Sequence, residues 1–482
     1  MRASDVLVLA LDIGSSSTRT SLFNRHGRAV PGTEARRQYS LPYVPDGGAE
    51  LSPVRLRQAA RSCLRESLRG ARSRRAIVAV GGSAFWHGLL GLDAKGRPLT
   101  PIFMWADSRA ANDAAQLRRE FEERKIHAAT GCMLRASFWP AKLRWLHRTN
   151  RQLFRSVRRW VSPADWIFGE HFGAAGTSVS MASATGLYDQ RSGTWHDKLC
   201  EACRVTPESL GQLSESNVAA AAGFSGLTNV QIFAAIGDGA AGNVGCDALD
   251  PGRFAINFGT SAAVRVLAQS GAPAPFGLFR YALDGKRSII GGAVSNAGNL
   301  HRWCLEELRL NERDPRLWQR SLAATDSLTV LPFWVAERAP TWPENLPGAV
   351  LGLSQSTGAA TILRATTCAT FYRLAEILEL LEHKRGRAEQ IVVSGGIAHS
   401  KGSLPILADA LGRDIAVSPE PEASLRGAAI YALQKLGYEP RPLRNPKIIR
   451  HDRRLAEKHR LRRERQAALE EQFSSARRAK AG

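Results

Sequence analysis

Asp12-Ile-Gly-Ser-Ser-Ser-Thr-Arg19 sets a carboxylate at the end of an apolar run and follows it with a turn carrying four hydroxyl side chains. Asp12 can hold hydrated Mg²⁺ there, while the N–H and hydroxyl groups of Gly14, Ser15, Ser16 and Ser17 cradle phosphate oxygens. Such a turn suits a Mg-nucleotide, although a single copy serves equally well as a structural turn. A second copy tips the balance: Leu9–Ser17 recurs in outline as Phe254-Ala-Ile-Asn-Phe-Gly-Thr-Ser261, whose turn carries Gly259, Thr260 and Ser261. Ile236-Gly-Asp-Gly-Ala-Ala-Gly-Asn243 places Asp238 between two glycines with no basic residue in the segment. A carboxylate so placed can take a proton from a substrate hydroxyl. A plain Gly-Asp-Gly turn fits the local sequence as well, and the position just ahead of the second hydroxyl-bearing loop favours the chemical role. Ser394-Gly-Gly-Ile397 ends a strand in Gly395 and Gly396, which lets a flat ligand such as a purine approach the backbone.

These groups need a scaffold. Val6–Ile13, Thr18–Phe23 and Arg28–Val30, separated by Gly14–Ser17 and by Asn24–Gly27, read as a three-stranded antiparallel meander. Ser52 and Pro53 start a helix whose Ala59, Ala60, Cys63, Leu64 and Leu68 keep one face apolar, and a strand follows at Ala76–Val80. Later, Gln390–Ser394 reads as a strand, Gly402–Leu411 as a helix, Arg413–Val417 as a strand and Glu422–Leu436 as a helix ended by Gly437. The internal repeat predicts two similar α/β domains with their hydroxyl-bearing loops face to face across a cleft.

Length and composition agree. The 482 residues, 44% apolar, suffice for two or three cores, and a mean hydropathy of −0.22 excludes a fibrous or grossly disordered chain. Lys and Arg number 66 against 44 Asp and Glu, a net charge of +22. Residues 440–482 alone hold 11 Arg and 3 Lys against 1 Asp and 4 Glu, a net +9, and read as a highly charged helix or disordered arm with its charge solvated. The remaining charge is spread too thinly for a nucleic-acid groove, which leaves non-specific polyanion contact to the tail. Seven scattered cysteines predict a reducing compartment, and Cys200-x-x-Cys203 lacks a second ligand pair and reads as structural. No secretory segment and no apolar run long enough to span a bilayer is legible, so the expectation is a cytoplasmic protein without a membrane partner.

Together, Asp12–Arg19, Gly237–Asn243, Gly259–Ser261 and Ser394–Ile397 resemble the phosphate and adenosine motifs of the actin/hexokinase/sugar-kinase superfamily, and the length and motif order resemble the FGGY carbohydrate kinases. Phe85–Leu89, Trp105–Arg109, Ser183–Tyr188, Gly291–Asn296 and Glu337–Pro340 resemble the gluconokinase branch, and the likeness spans roughly residues 5–437. It implies an α/β fold of two ribonuclease-H-like domains around a central cleft, divided as 1–248 (sugar side) and 249–438 (nucleotide side), with 439–482 as a basic tail.

The same resemblance implies ATP and Mg²⁺ as cofactors and the γ-phosphoryl of ATP passing to the terminal hydroxyl of D-gluconate, with Asp238 as general base. It implies Asp12 as the metal-site carboxylate. Gly14, Ser15, Ser16, Ser17, Arg19, Gly259, Thr260 and Ser261 would hold phosphates, and Gly395 and Gly396 the adenosine. For the acceptor it implies Trp86, His87, Trp105, Asp107 and Arg109, with Arg109 the nearest candidate for a gluconate carboxylate. Two departures bear on the acceptor: Phe85-Trp86 replaces the more usual Gln-Met, and Arg135 stands where the family often has His. The alternatives are a xylulokinase-like or ribulokinase-like enzyme for another sugar or polyol, or a non-catalytic sugar or nucleotide sensor. A homodimer is compatible with all of them.

Overall fold

Leu7–Ile13 forms β1, and nearly all of it is buried because both faces of its sheet are covered. The structure is a computed structural model and describes residues 6–481 apart from 41–43, 45, 72, 175, 215–217, 220–226, 228–229 and 345. β2 (Ser17–Asn24) and β3 (Ala35–Gln38) continue from β1 as an antiparallel meander. The third strand is therefore displaced from Arg28–Val30. There Ala29 makes only an isolated bridge to Phe23, the Thr33 hydroxyl takes the Leu22 N–H at 3.0 Å, and regular pairing resumes two residues later.

α1 (Pro53–Gly70) starts as its sequence predicts: Ser52 caps it by accepting from the Arg55 N–H, a contact worth about 1 kcal/mol in general. It buries Leu56, Ala59, Ala60, Cys63, Leu64 and Leu68. β4 (Ile77–Ala84) lies parallel to β1. β5 (Val218–Ala219), β6 (Gln231–Ile232) and β7 (Ile236–Gly237) complete a sheet of order β5-β6-β4-β1-β2-β3, with β7 also paired to β4. β7 runs straight into α2 (Asp238–Gly245), which puts Asp238 at a helix N-terminus.

The plan then repeats. β8 (Arg253–Phe258), β9 (Ala262–Gln269), β10 (Phe279–Ala282) and β11 (Arg287–Val294) are antiparallel neighbours. After α3 (Ala359–Arg385), β12 (Gln390–Ser394) joins parallel to β8. Beyond α4 (Ser403–Leu411) comes β13 (Ile415–Val417), parallel to β12. In both sheets an antiparallel meander is extended by parallel strands on the side of its first strand.

α5 (Ala423–Lys435) follows, and Gly437 ends it with a φ of +83°. Its Leu425, Ala428, Ala429, Ala432 and Leu433 share a core with Val8, Ala10, Phe23 and Ala79 of the first sheet. α5 crosses α2 in backbone contact: a Cβ on Gly427 would stand 1.8 Å from the Ala241 carbonyl oxygen, and one on Gly245 1.7 Å from that of Ala423. The crossing locks the start of α2, and with it Asp238, to the start of α5.

The residues after Gly437 correct the expectation of a solvated tail. β14 (Lys447–Ile449) pairs antiparallel with β13 at the edge of the second sheet, and α6 (Arg453–Ala481) packs beside α3 and α4. Leu469 and Phe473 pack against Leu331, Phe333 and Leu346, and the other anchors are polar. His459 is fully buried with Nδ1 2.8 Å from the Tyr372 hydroxyl, Gln466 donates to the Ala369 carbonyl at 3.2 Å, and Glu470 accepts from buried Arg373 at 2.7 Å. Two of its arginines join the docked face, Arg462 by donating to the Ala323 and Leu328 carbonyls and Arg463 by pairing with Glu379, while Arg453, Arg454, Lys458, Arg460 and Arg465 are exposed. Cys200 and Cys203 are buried free thiols. Among the described residues, no helix is long and apolar enough to cross a membrane.

Candidate active site

The repeated loops meet. A cleft of about 560 Å³ is lined on one side by Asp12, Gly14, Ser15, Ser16, Ser17, Arg19 and Asp238 and on the other by Gly259, Thr260, Ser261, Gly395 and Gly396. Both hydroxyl turns close in the same way: the Gly14 N–H donates to the Ser17 carbonyl and the Gly259 N–H to that of Ser261, each at 2.9 Å.

Asp12 is fully buried at the end of β1. Its Oδ1 accepts from the Ser83 hydroxyl, opposite it on β4. Oδ2 is ion-paired with Arg19 Nη2 at 2.6 Å and is otherwise an unanswered buried oxygen, in a residue that lines a polar cleft. This fits a Mg²⁺ held by one carboxylate, water and substrate phosphate, the usual arrangement for that ion. Among the described residues there is no cluster of three metal-type side chains to hold it otherwise. Arg19 bridges Asp12 and Glu422, the residue preceding α5, so its fork is largely taken up in joining the two halves of the molecule.

Asp238 is half-buried at the start of α2. Burial pushes its carboxyl up to about 6, the Arg265 guanidinium pulls it down, and the charge of Asp12 adds to the rise. An acid of that strength is well matched to proton abstraction near neutrality. The segment Ile236–Asn243 holds no basic residue, and Arg265 reaches Asp238 from β9, 27 residues along the chain, with its side chain against Gly239. Arg338 is a second cation that lowers the Asp238 carboxyl.

Trp86 sits beneath the β7–α2 junction, so close that a Cβ on Gly237 would fall 1.7 Å from its ring. It packs edge-on to Tyr281 with centroids 4.7 Å apart. His87 has a φ of +67°, donates from Nδ1 to the Ala184 carbonyl at 2.7 Å and places Nε2 3.5 Å from the Tyr281 hydroxyl. Burial drives its imidazole down to about 3, so it is neutral at physiological pH. Lys142, unremarked in the sequence, is buried beneath this loop and donates to the carbonyls of His87 at 3.0 Å and Met104 at 2.7 Å. Burial pushes its amine down to about 7, which the charge of Asp107 partly opposes. Trp105 presents its ring to Arg338, whose Cζ lies 4.5 Å from the centroid.

Arg109 does not stand ready for a ligand. Its Nη2 is 2.5 Å from both Glu50 Oε1 and Asp107 Oδ2, and its Cζ lies 4.6 Å from the Trp145 ring centre. Its Nε and Nη2 are committed to these two carboxylates, which opposes the expectation that Arg109 meets the acceptor carboxylate. Asp107 is committed to the same cluster and accepts from the Ala49 N–H at 3.2 Å. Arg135 is likewise held, by Glu123 and, at 3.6 Å, Glu344.

Two ribonuclease-H-like units closed around a cleft with paired phosphate-type loops define an actin-like ATPase fold. The signature of the FGGY family of carbohydrate kinases, N-terminal domain, matches residues 7–245, and that of its C-terminal domain matches residues 254–435. The chain belongs to this family and is a carbohydrate kinase. It is 27% identical over 456 residues to a gluconokinase of Bacillus subtilis (strain 168), covering 89% of this chain and 88% of that one. A gluconate kinase from Lactobacillus acidophilus shares the fold with a TM-score of 0.85 at 21% identity, over 97% of this chain and 98% of that one. A ligand-bound xylulose kinase from the same organism has a TM-score of 0.87, also at 21% identity and with the same coverage.

Proposed function

We propose that this protein transfers the γ-phosphoryl group of Mg-ATP to the terminal hydroxyl of D-gluconate, giving 6-phosphogluconate. The observation that carries the catalytic part is Asp238: a half-buried carboxylate at a helix N-terminus, pushed up to about 6, opening on the same cleft as both hydroxyl turns. The gluconokinase relative supports the choice of acceptor.

In this reading residues 1–248 hold the acceptor and residues 249–438 the nucleotide. Asp238 accepts the proton of the acceptor hydroxyl as its oxygen bonds to the γ-phosphorus, while the bond from that phosphorus to the β,γ-bridging oxygen breaks and ADP leaves with its electrons. The loops at Gly14–Ser17 and Gly259–Ser261 position the phosphates, and Gly395 and Gly396 admit the adenosine. Asp12 would hold Mg²⁺, which when bound neutralises charge on the phosphates. Catalysis of this type rests on positioning and electrostatics rather than on covalent help. Trp86, His87 and Trp105 form the acceptor's wall, and Lys142 fixes the His87 and Met104 backbones behind it.

The test is ADP release from Mg-ATP against D-gluconate, D-xylulose, L-ribulose and glycerol, with Asp238→Asn in parallel. The expected result is preferred turnover of gluconate, lowered about 10³-fold or more by the substitution. Turnover of a ketose or polyol alone overturns the acceptor, and undiminished turnover by Asp238→Asn overturns the base.

A further inference from the structure

The segment from Glu337 to Glu344 touches the acceptor's wall at two points. Arg338 covers the Trp105 ring, with its Cζ 4.5 Å from the centroid. Trp342 lies 6.0 Å, ring to ring, from Phe138, which lies 4.8 Å from His87. Trp105, Arg338 and Trp342 line one small pocket. The segment also bridges the two halves of the molecule. At its start Glu337 accepts from the Ser295 N–H and the Asn296 amide of the second half. At its end Glu344 accepts from the Ala136 N–H of the first half at 3.2 Å, with Arg118 and Arg135 within 3.6 Å.

The middle of the segment is tied to α6, which lies beyond the residues matched to the family, 254–435. Glu470 accepts from the Thr341 hydroxyl through Oε1 and from Arg373 of α3 through Oε2, the latter at 2.7 Å. Arg373 is 0% exposed and donates from Nη2 to the Thr341 hydroxyl at 2.9 Å and to the Ala339 carbonyl at 3.1 Å. The Thr341 hydroxyl thus accepts from one charged group and donates to the other, which closes a ring of three side chains. Hydrogen bonds to ionised partners are shorter and stronger than neutral ones. Leu469 and Phe473, packed against Leu331, Phe333 and Leu346, fix the turn of α6 from which Glu470 projects.

We propose that α6 is a positioning element for the acceptor: Glu470, acting through Thr341 and Arg373, holds the segment from Glu337 to Glu344 in place against Trp105 and Phe138. Glu470 touches neither substrate, so its effect on the reaction is carried by the segment. The inference rests on the kinase mechanism above and on no particular acceptor. Opening the ring frees the middle of the segment while its two ends stay attached, which loosens the acceptor's wall. The phosphate loops at Gly14–Ser17 and Gly259–Ser261 make no contact with the ring, so nucleotide binding is left as it was. A small misplacement of a wall of this kind is enough to weaken catalysis substantially.

The experiment measures KM for the acceptor and for ATP on the full chain, using whichever of D-gluconate, D-xylulose, L-ribulose and glycerol the unsubstituted protein turns over fastest. Thr341→Val nearly keeps the side-chain shape and removes both bonds to the segment's hydroxyl, while Glu470 stays paired with Arg373 and α6 stays docked. Glu470→Ala opens the ring from the other side, and Glu470→Gln keeps an acceptor for both partners. Gln466→Leu weakens the docking of α6 without touching the segment, and so reports what docking alone does. Thr341→Val and Glu470→Ala are expected to raise the acceptor KM about tenfold with the ATP KM within about twofold, and Glu470→Gln to restore most of the loss. Gln466→Leu is expected to lower thermal stability and leave both KM values in place. An unchanged acceptor KM in folded Thr341→Val overturns the proposal, as does an equal rise in both KM values or a rise in Gln466→Leu as large as in Thr341→Val. Turnover of an acceptor other than gluconate overturns the choice of acceptor above, and the same comparison on that acceptor still decides this proposal. No turnover of any of the four overturns the mechanism and the proposal with it.

Discussion

Asp12 and Asn257 occupy the same place in the two halves of the molecule. Each lies on the first strand of its meander and pairs in register with a serine on the parallel neighbour, Asp12 with Ser83 and Asn257 with Ser394. Each pair is hydrogen bonded, the second at 3.2 Å from Asn257 Nδ2 to the Ser394 hydroxyl. One half keeps a carboxylate there and the other an amide. Beyond the serine the difference continues: β4 runs into Phe85, Trp86 and His87, which fill the space, whereas β12 ends in Gly395 and Gly396, which leave it open. Gly395 has a φ of +88°, and a Cβ on it would stand 2.6 Å from the Phe258 carbonyl oxygen. A duplicated scaffold thus has an anionic, aromatic-walled half and a neutral, open half. Two carboxylates facing one polyphosphate would repel it, and a single one with a metal attracts it.

The comparison is broken most severely at its charged member. Asp12→Asn makes the two halves alike and is expected to lower kcat/KM about 10²–10³-fold, measured by coupled ADP release over a range of Mg²⁺ concentrations. A sharper structural asymmetry is α6, which only the second half carries. Glu470→Ala leaves the buried Arg373 with Glu376 as its carboxylate partner and should cost about 3 kcal/mol in urea unfolding. Gly396→Leu should raise the KM for ATP about tenfold. Its Cβ would meet nothing closer than 3.7 Å, so the added bulk enters the cleft and thermal stability should hold. The smallest effect is on pH. In the proposed mechanism Asp238 acts as a carboxylate, and burial pushes it up to about 6, so kcat/KM should fall as pH falls through that value. Arg265→Gln removes a charge that favours ionisation, and the acid limb should move upward.

What the sequence revealed follows the range of the interactions involved. The Asp12 turn, its copy at Gly259–Ser261, the two glycines after Ser394 and the Ser52 cap are each written within a few adjacent residues, and the structure brings those loops together around one cleft. Arg265 was passed over because a lone arginine inside a strand pattern carries no local sign of its neighbour Asp238. The commitment of Arg109 to Glu50, 59 residues away, has no local sign in the sequence. α6 reads as solvated because most of its anchors, His459, Arg462, Gln466 and Glu470, are polar, while Leu469 and Phe473 add an apolar contact too short to show as a period. β3 was displaced because a side chain, Thr33, occupies the backbone partner that a strand at Arg28–Val30 would have used.

The division of labour between the halves is tested most directly by measuring ATP binding with and without Mg²⁺ for Asp12→Asn and Gly396→Leu side by side. The account predicts that Asp12→Asn still binds ATP but loses most of the gain that Mg²⁺ gives the unsubstituted protein, while Gly396→Leu binds weakly in both conditions and keeps that gain. Equal loss of the Mg²⁺ effect in both variants, or its full retention in Asp12→Asn, would contradict it.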